Sequence, residues 1–140
     1  MLTKAKALLK DNDTRLVIID SDTILTSSER GVEALLDILE SKSISKGAFA
    51  ADKVVGKAAA MIYTLLGIKA LYANVISAGA KEIIESNGII LECDNVVPYI
   101  VNRAGDGMCP MEEAVGDELD PLTAVEKVKK KLAILKQTSK

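Results

Sequence analysis

The most informative hydrophobic pattern lies near the middle of the chain, over residues 47–66. A short apolar run at residues 48–51 predicts a buried strand, which ends at the charged pair Asp52-Lys53. Beyond this pair, apolar side chains recur with the period of a helix packed on a sheet, at Val54, Val55, Ala58, Ala59, Ile62, Leu65 and Leu66. The pattern therefore predicts a strand that leads into a central buried helix at Asp52-Lys53.

The rest of the pattern divides the chain into further helices and strands. Helical periodicity marks four more segments, which are residues 2–11, 32–41, 78–87 and a last helix from Pro121. Apolar runs predict strands at residues 15–20, 23–26, 69–76, 89–93 and 96–101. Pro98 places the last strand at an edge or a bend. This order predicts an α/β fold, a three-layer αβα sandwich around a mixed sheet.

Composition narrows the class of protein. A length of 140 residues and a hydrophobic content of 49% predict one globular domain, residues 1–140. A net charge of −2 leaves no basic excess for phosphates, and 3% aromatic residues give few stacking surfaces, so nucleic acid is not an expected partner. No apolar run is long enough to span a membrane, and the first residues do not resemble a signal peptide, so we expect a cytoplasmic protein.

The chemistry available to the chain is limited by its lack of histidine. That absence excludes histidine-based triads, histidine-ligated zinc and imidazole acid–base catalysis. The two cysteines, Cys93 and Cys109, fit a reducing compartment better than a disulfide framework. Their spacing marks no metal site. We therefore expect neither a metal nor a cofactor.

Two stretches carry a resemblance to a known family: DKVVGKAAA at residues 52–60 and VVPYIVNRAGDGMCPMEEAV at residues 96–115. They resemble an uncharacterised domain-of-unknown-function family of the cytidine-deaminase-like superfamily, from the first helix to about Val115. The resemblance implies a deaminase-type αβα fold. Deaminases begin the equivalent helix with His-Ala-Glu or Cys-Ala-Glu and add Pro-Cys-x-x-Cys to bind zinc. This chain has Ala51-Asp52-Lys53 and ISAGA (residues 76–80) there, so no zinc ligand carries over.

Four residues are candidate catalytic groups: Asp52, Lys53, Cys109 and Glu112. Asp52 either caps the central helix or acts as an acid or base. Cys109 follows a glycine-rich turn, and a nearby cation would stabilise its thiolate. In the alternative interpretation Cys109 and Met111 fill the core and Glu112 caps a helix. Because the ends of parallel strands share one edge of a sheet, we expect Asp52, Lys53 and Cys109 to meet there.

Four further residues are candidate ligand-binding groups: Lys57, Asn102, Arg103 and Asp106. A lysine near a helix N-terminus favours phosphate or carboxylate binding, whereas the alternative is a plain surface charge. The other three lie in the glycine-rich turn, where they either shape the turn or contact a ligand. We therefore predict a pocket for a small anionic or nucleotide-like ligand, in an enzyme that uses Cys109 or in a non-catalytic metabolite-binding or oligomeric interaction module. A homodimer is compatible with the sequence.

Overall fold

The computed structural model describes residues 2–10, 13–29, 32–102 and 104–138, without the side chains of residues 137 and 138. The strands in these ranges are β1 (Leu16–Asp20), β2 (Thr23–Ser27), β3 (Phe49–Val55), β4 (Ala70–Ser77) and β5 (Ile90–Val97). The helices are α1 (Leu2–Leu9), α2 (Glu33–Ser41), α3 (Lys57–Leu66), α4 (Ala78–Ser86), α5 (Pro110–Val115) and α6 (Pro121–Thr138). None of the helices in the described ranges is long and apolar enough to cross a membrane.

The strands form one mixed sheet in the order β2-β1-β3-β4-β5. β1 runs antiparallel to β2 and to β3, whereas β3, β4 and β5 run parallel to one another. Helix α1 packs on β1, β3 and β4, and α4 packs on β4 and β5. Helix α3 contacts α2, α4, α5 and α6. These contacts confirm the predicted α/β fold with a mixed sheet and are consistent with three layers.

Two hydrophobic clusters lie on opposite faces of the sheet. The larger one joins Ile18, Ala50 and Leu71 to α3 and α4. The smaller one joins alternate strand residues, such as Val17 and Ala51, to α1. Because successive side chains of a strand point to opposite faces, a strand covered on both sides has a continuous apolar run. The aliphatic run of β1 is explained in this way.

The predicted boundary between the central strand and its helix is wrong by several residues. β3 continues through Asp52-Lys53 to Val55 and pairs with β4 along this length, and α3 begins at Lys57, after Gly56. A buried strand and a buried helix both give apolar runs, so periodicity alone does not separate them. Asp52 therefore lies within a strand and does not cap a helix.

The two strands predicted at residues 89–93 and 96–101 are also wrong in part. One strand, β5, covers Ile90–Val97 and continues across the polar residues Asp94 and Asn95. β5 is the last strand in the sheet order, and both Asp94 and Asn95 are exposed, so polar residues fit at these positions. Beyond β5, the only strand-type pairing among the described residues is an isolated bridge between Val101 and Met108.

Candidate functional site

A groove of about 1290 Å³ lies where the three parallel strands end. Val54, Val75 and Val97 contribute from the carboxyl ends of β3, β4 and β5, and the lining extends to residues of α2, α3, α5 and α6. Most of the lining is apolar. In open α/β sheets, ligands bind at the carboxyl ends of parallel strands. The groove is therefore the first candidate for a functional site.

Asp52 provides a carboxylate to this groove from β3. The hydroxyl of Tyr63, on α3, donates a hydrogen bond of 2.7 Å to Asp52 Oδ2. Burial raises the pKa of Asp52 to about 6, although the Tyr63 hydrogen bond, backbone N–H groups and the charge of Arg15 act in the opposite direction. Burial and the Asp52 carboxylate hold the pKa of Tyr63 well above its usual value. The groove thus contains a carboxyl group that titrates close to neutral pH.

Lys53 lies next to Asp52 in sequence but not in this groove. Its backbone N–H donates to the carbonyl of Arg15 at 3.0 Å. Since neighbouring residues of a strand point to opposite faces, its side chain leaves β3 on the side of α1, away from Tyr63. Among the described residues, Asp52 and Cys109 both line the groove, and Lys53 is not part of the lining. Of the three residues expected to meet, Asp52 and Cys109 thus share one groove, and Lys53 does not line it.

Glu112, on α5, has a carboxylate that is almost fully buried, with an exposure of 2%. Its Oε1 accepts hydrogen bonds from the backbone N–H of Lys57 and from Ser77 Oγ, the latter at 3.3 Å, and its Oε2 accepts from the N–H of Ile100 at 3.2 Å. Lys57 begins α3, and Ser77 is the N-cap of α4. Gly56 offers α3 no side-chain cap, so Glu112 caps this helix from a distant part of the chain.

Lys57, predicted to bind an anion, has a partner within the protein. Its Nζ donates to the carbonyl of Gly116 at 2.8 Å, at the end of α5. Its aliphatic part lies against Gly79, where a Cβ atom would collide with Lys57 Cε. The lysine therefore ties the first turn of α3 to the last turn of α5, and it is not among the described residues of the groove lining.

The remaining candidates lie around the glycine-rich turn. Asn102 lines the groove, donates from Nδ2 to Asp106 Oδ1 at 2.9 Å, and bonds through its own N–H to the Gly107 carbonyl at 2.9 Å. These bonds shape the turn. Cys109 is half-buried in the groove lining, and its N–H donates to the Ile100 carbonyl at 2.7 Å. Arg103, another predicted ligand-binding residue, lies outside the described residues.

Two groups in the site were not predicted from the sequence. Tyr63 lies in an apolar helical stretch, and the signal there is its own hydroxyl, because a buried tyrosine hydroxyl usually needs a partner. Arg15 precedes the first strand and lines the same groove as Asp52. The described residues contain no group of three or more cysteine, aspartate or glutamate side chains placed to hold a metal ion.

These features describe an α/β protein whose candidate site lies at the carboxyl ends of three parallel strands. The chain belongs to the family "TM1506: Domain of unknown function (DUF1893)", whose model matches residues 4–132. It is similar to the crystal structure of a DUF1893 family protein (TM1506) from Thermotoga maritima, with a TM-score of 0.85 and 26% sequence identity over 93% of this chain and 88% of that one. No curated protein matches this chain.

The family match confirms one part of the resemblance inferred from residues 52–60 and 96–115, namely membership of a domain-of-unknown-function family. The finer assignment to the cytidine-deaminase-like superfamily stays a prediction. The same holds for the roles assigned to the candidate site residues.

Proposed function

We propose that this protein binds a small, largely apolar molecule in the groove, with Asp52 as its main polar contact. The observation that supports this function is a carboxylate held by the Tyr63 hydroxyl within a mostly apolar lining. Ligand sites are typically apolar concavities with a few well-placed polar groups. A carboxyl group with a displaced pKa in such a cleft is a further sign of a functional site.

The groove beside Asp52 is a better position for a ligand than the anion site predicted at the start of the central helix. A helix N-terminus attracts anions because its first N–H groups are unpaired. At α3, the N–H of Lys57 already donates to the Glu112 carboxylate. A bound phosphate would have to displace a buried carboxylate and its hydrogen bonds. The proposed ligand therefore lies in the groove, beside Asp52.

A fluorescent apolar probe tests the proposal. N-phenyl-1-naphthylamine is neutral near pH 7, and its fluorescence increases when it binds in an apolar site. We expect saturable binding that is lost when Cys109, which lines the groove, carries a bulky maleimide adduct. The measurement uses a Cys93→Ser variant, so that Cys109 is the labelled thiol, and mass spectrometry confirms the adduct.

The second cysteine provides a matched control. Cys93 lies on β5 and is not among the described lining residues of the groove. The Cys109→Ser variant, labelled at Cys93 with the same maleimide, is therefore expected to keep probe binding. Circular dichroism checks that both adducts remain folded. Full probe binding by the Cys109 adduct, or no binding by the unlabelled protein, would contradict the proposed site.

One observation favours an enzyme as a second candidate function. A carboxyl group with a pKa of about 6 is suited to move protons near neutral pH, and Asp52 shares its groove with the Cys109 thiol. In this reading Asp52 is the acid or base and Cys109 the nucleophile. A catalytic Cys109 is expected to react with iodoacetamide faster than Cys93 near neutral pH. Equal rates would favour binding without catalysis.

Two further proposals concern the finer fold and the assembly. We propose the cytidine-deaminase-like assignment because the motif DKVVGKAAA spans the junction of a central parallel strand and its helix, although the helix begins at Lys57 and not at the Ala51-Asp52-Lys53 position that the resemblance implies. We propose a homodimer because exposed apolar side chains follow the outer strand and the segment after it: Ile90, Val96, Tyr99 and Val101. Light scattering after size exclusion measures the mass. A monomer at high concentration would contradict the dimer.

A further inference from the structure

We infer that the molecule bound in this groove carries a cationic group, such as a protonated amine, which pairs with the Asp52 carboxylate. This inference rests on the proposed function and adds the chemical class of the ligand. It follows from three features, which are the charges that face the groove, the anion position already filled by Glu112, and the partial desolvation of Asp52.

The charged groups that line the groove with Asp52 come from several elements. Tyr63, on α3, is a neutral donor, and Arg15 acts on the carboxylate through space. The other charged residues in the described lining are Glu29, Glu33, Glu112 and Lys136. Lys136 pairs with Glu33 at 3.5 Å. Among the described lining residues, carboxylates thus outnumber cations by four to two, which favours a cationic ligand over an anionic one.

The strongest anion position near the groove is not open to a ligand. The N-termini of α3 and α4 provide the N–H of Lys57 and the hydroxyl of Ser77, and both donate to Glu112. The Lys57 ammonium donates to Gly116. Within the described lining, the remaining cations are Arg15, which already interacts with Asp52, and Lys136, which pairs with Glu33.

The Asp52 carboxyl group is partly desolvated. Burial raises its pKa because the ionised form loses contact with water. A charged donor placed at the carboxylate restores that lost stabilisation, and hydrogen bonds between ionised partners are the strong ones. The apolar walls of the groove would hold the hydrocarbon part of the same molecule. An aryl or alkyl amine has both parts.

Three compounds that share one ring system and differ in charge test whether the groove prefers a cationic ligand. They are 2-naphthylmethylamine, 2-naphthylmethanol and 2-naphthoate, which carry a cation, a neutral hydroxyl and an anion. Each competes with N-phenyl-1-naphthylamine for the groove. Near pH 8 we expect the amine to bind at least about tenfold more tightly than the alcohol, because it forms a hydrogen bond between two charged groups. The carboxylate is expected to bind most weakly.

The pH dependence gives an independent measurement in the unsubstituted protein. The amine stays protonated from about pH 5 to pH 8, whereas Asp52 gains a proton as the pH falls below its pKa of about 6. The preference for the amine over the alcohol is therefore expected to shrink toward pH 5. A preference that is unchanged over this range would overturn the assignment to Asp52.

Two variants separate charge from structure. Asp52→Asn keeps an acceptor for the Tyr63 hydroxyl and removes the charge, so the amine preference is expected to vanish while the alcohol still binds. Tyr63→Phe keeps the charge and is expected to retain the preference. If Asp52→Asn does not fold, the pH series of the unsubstituted protein decides. An amine preference that persists in folded Asp52→Asn would assign the effect to Glu29 or Glu33 and overturn the inference.

The failure of this inference and that of the proposed function give different results. Equal binding of amine and alcohol, with probe binding lost in the Cys109 adduct, overturns the cationic class and leaves the groove as a binding site. No binding by any of the three compounds or by N-phenyl-1-naphthylamine overturns the proposed function itself.

Discussion

The hydroxyl of Tyr63 lies 2.7 Å from Asp52 Oδ2, and this bond joins the central strand to the helix that follows it. The two residues are eleven positions apart, on β3 and α3. The bond holds the Asp52 carboxylate on the side of the sheet covered by α3, where the groove lies. Among the described residues, Asp52 is the only acidic residue that β3 contributes to the groove lining. Its position is therefore fixed by a contact within one strand–helix unit.

Tyr63→Phe is expected to lower the free energy of unfolding by about 1–3 kcal/mol, because a buried hydrogen bond to a carboxylate is lost. The pKa of Asp52 is expected to rise further, since this hydrogen bond lowers it. Urea unfolding and NMR titration of the Asp52 carboxyl carbon measure the two effects. Tyr99→Phe, at an exposed ring, is the matched control. An unchanged Asp52 pKa in Tyr63→Phe would show that the bond is absent in solution.

The stability of the protein is expected to depend on pH through Asp52. Its pKa is 3.8 in an unfolded chain and about 6 in the fold. Because the folded value is higher, the protonated form favours folding, and this contribution is lost as the pH rises from about 4 through 6. The effect is at most about 3 kcal/mol.

The measurement for this pH effect is a difference between two proteins. The free energy of unfolding of the native chain minus that of Asp52→Asn is expected to fall between about pH 4 and pH 6 and to level off above. The subtraction removes the carboxyl groups common to both, such as Glu118 and Asp120, whose lowered pKa values act in the opposite sense. A difference that rises with pH would contradict the predicted direction.

Glu112→Ala is expected to destabilise the fold by about 2–4 kcal/mol, because the part-buried N–H groups of Lys57 and Ile100 and the buried Ser77 hydroxyl lose an acceptor. Glu112→Gln keeps one acceptor oxygen and is expected to cost less. Chemical denaturation gives the values. Glu113→Ala, at an exposed neighbouring position, is the control and is expected to stay within about 0.5 kcal/mol of the parent. Similar costs for the two alanine variants would contradict the capping contact.

Gly56→Ala is expected to cost about 1–3 kcal/mol, because the new Cβ would lie 2.7 Å from Glu112 Oε1 and 3.2 Å from a side-chain carbon of Ile100. Gly56 has an extended backbone, so the cost is steric. At Gly79 the three atoms nearest to a new Cβ all belong to the flexible Lys57 side chain, so Gly79→Ala is expected to cost less. In a Glu112→Ala background the cost of Gly56→Ala is expected to shrink. An additive double variant would show that the two sites do not touch.

Much of the fold could be predicted from local patterns. The hairpin of β1 and β2, the Ser77 cap of α4 and the Asp120 cap of α6 all depend on residues close in sequence. Where the prediction is wrong, the local pattern is ambiguous. Val54 and Val55 fit a buried strand as well as a buried helix, and only their pairing with β4 decides between the two.

The candidate site was less predictable because its contacts connect distant residues. The alternation of a strand separates Asp52 from Lys53, and this follows only once residue 52 is known to lie in β3. The bond between Glu112 and the start of α3 spans 55 residues. No periodicity in the sequence announces such a contact. The groove itself exists only after α2, α3, α5 and α6 have been brought together.

Because α3 is capped by Glu112, its cap is completed late in the synthesis of the chain. The residues of β3, α3, β4 and α4 are synthesised before residue 112, because synthesis proceeds from the N-terminus. Until that residue emerges, the first turn of α3 lacks its acceptor, and Ser77 lacks one of its partners. The start of α3 on the nascent chain therefore stays uncapped until a segment that is translated later becomes available, whereas α4 already has its own cap in Ser77.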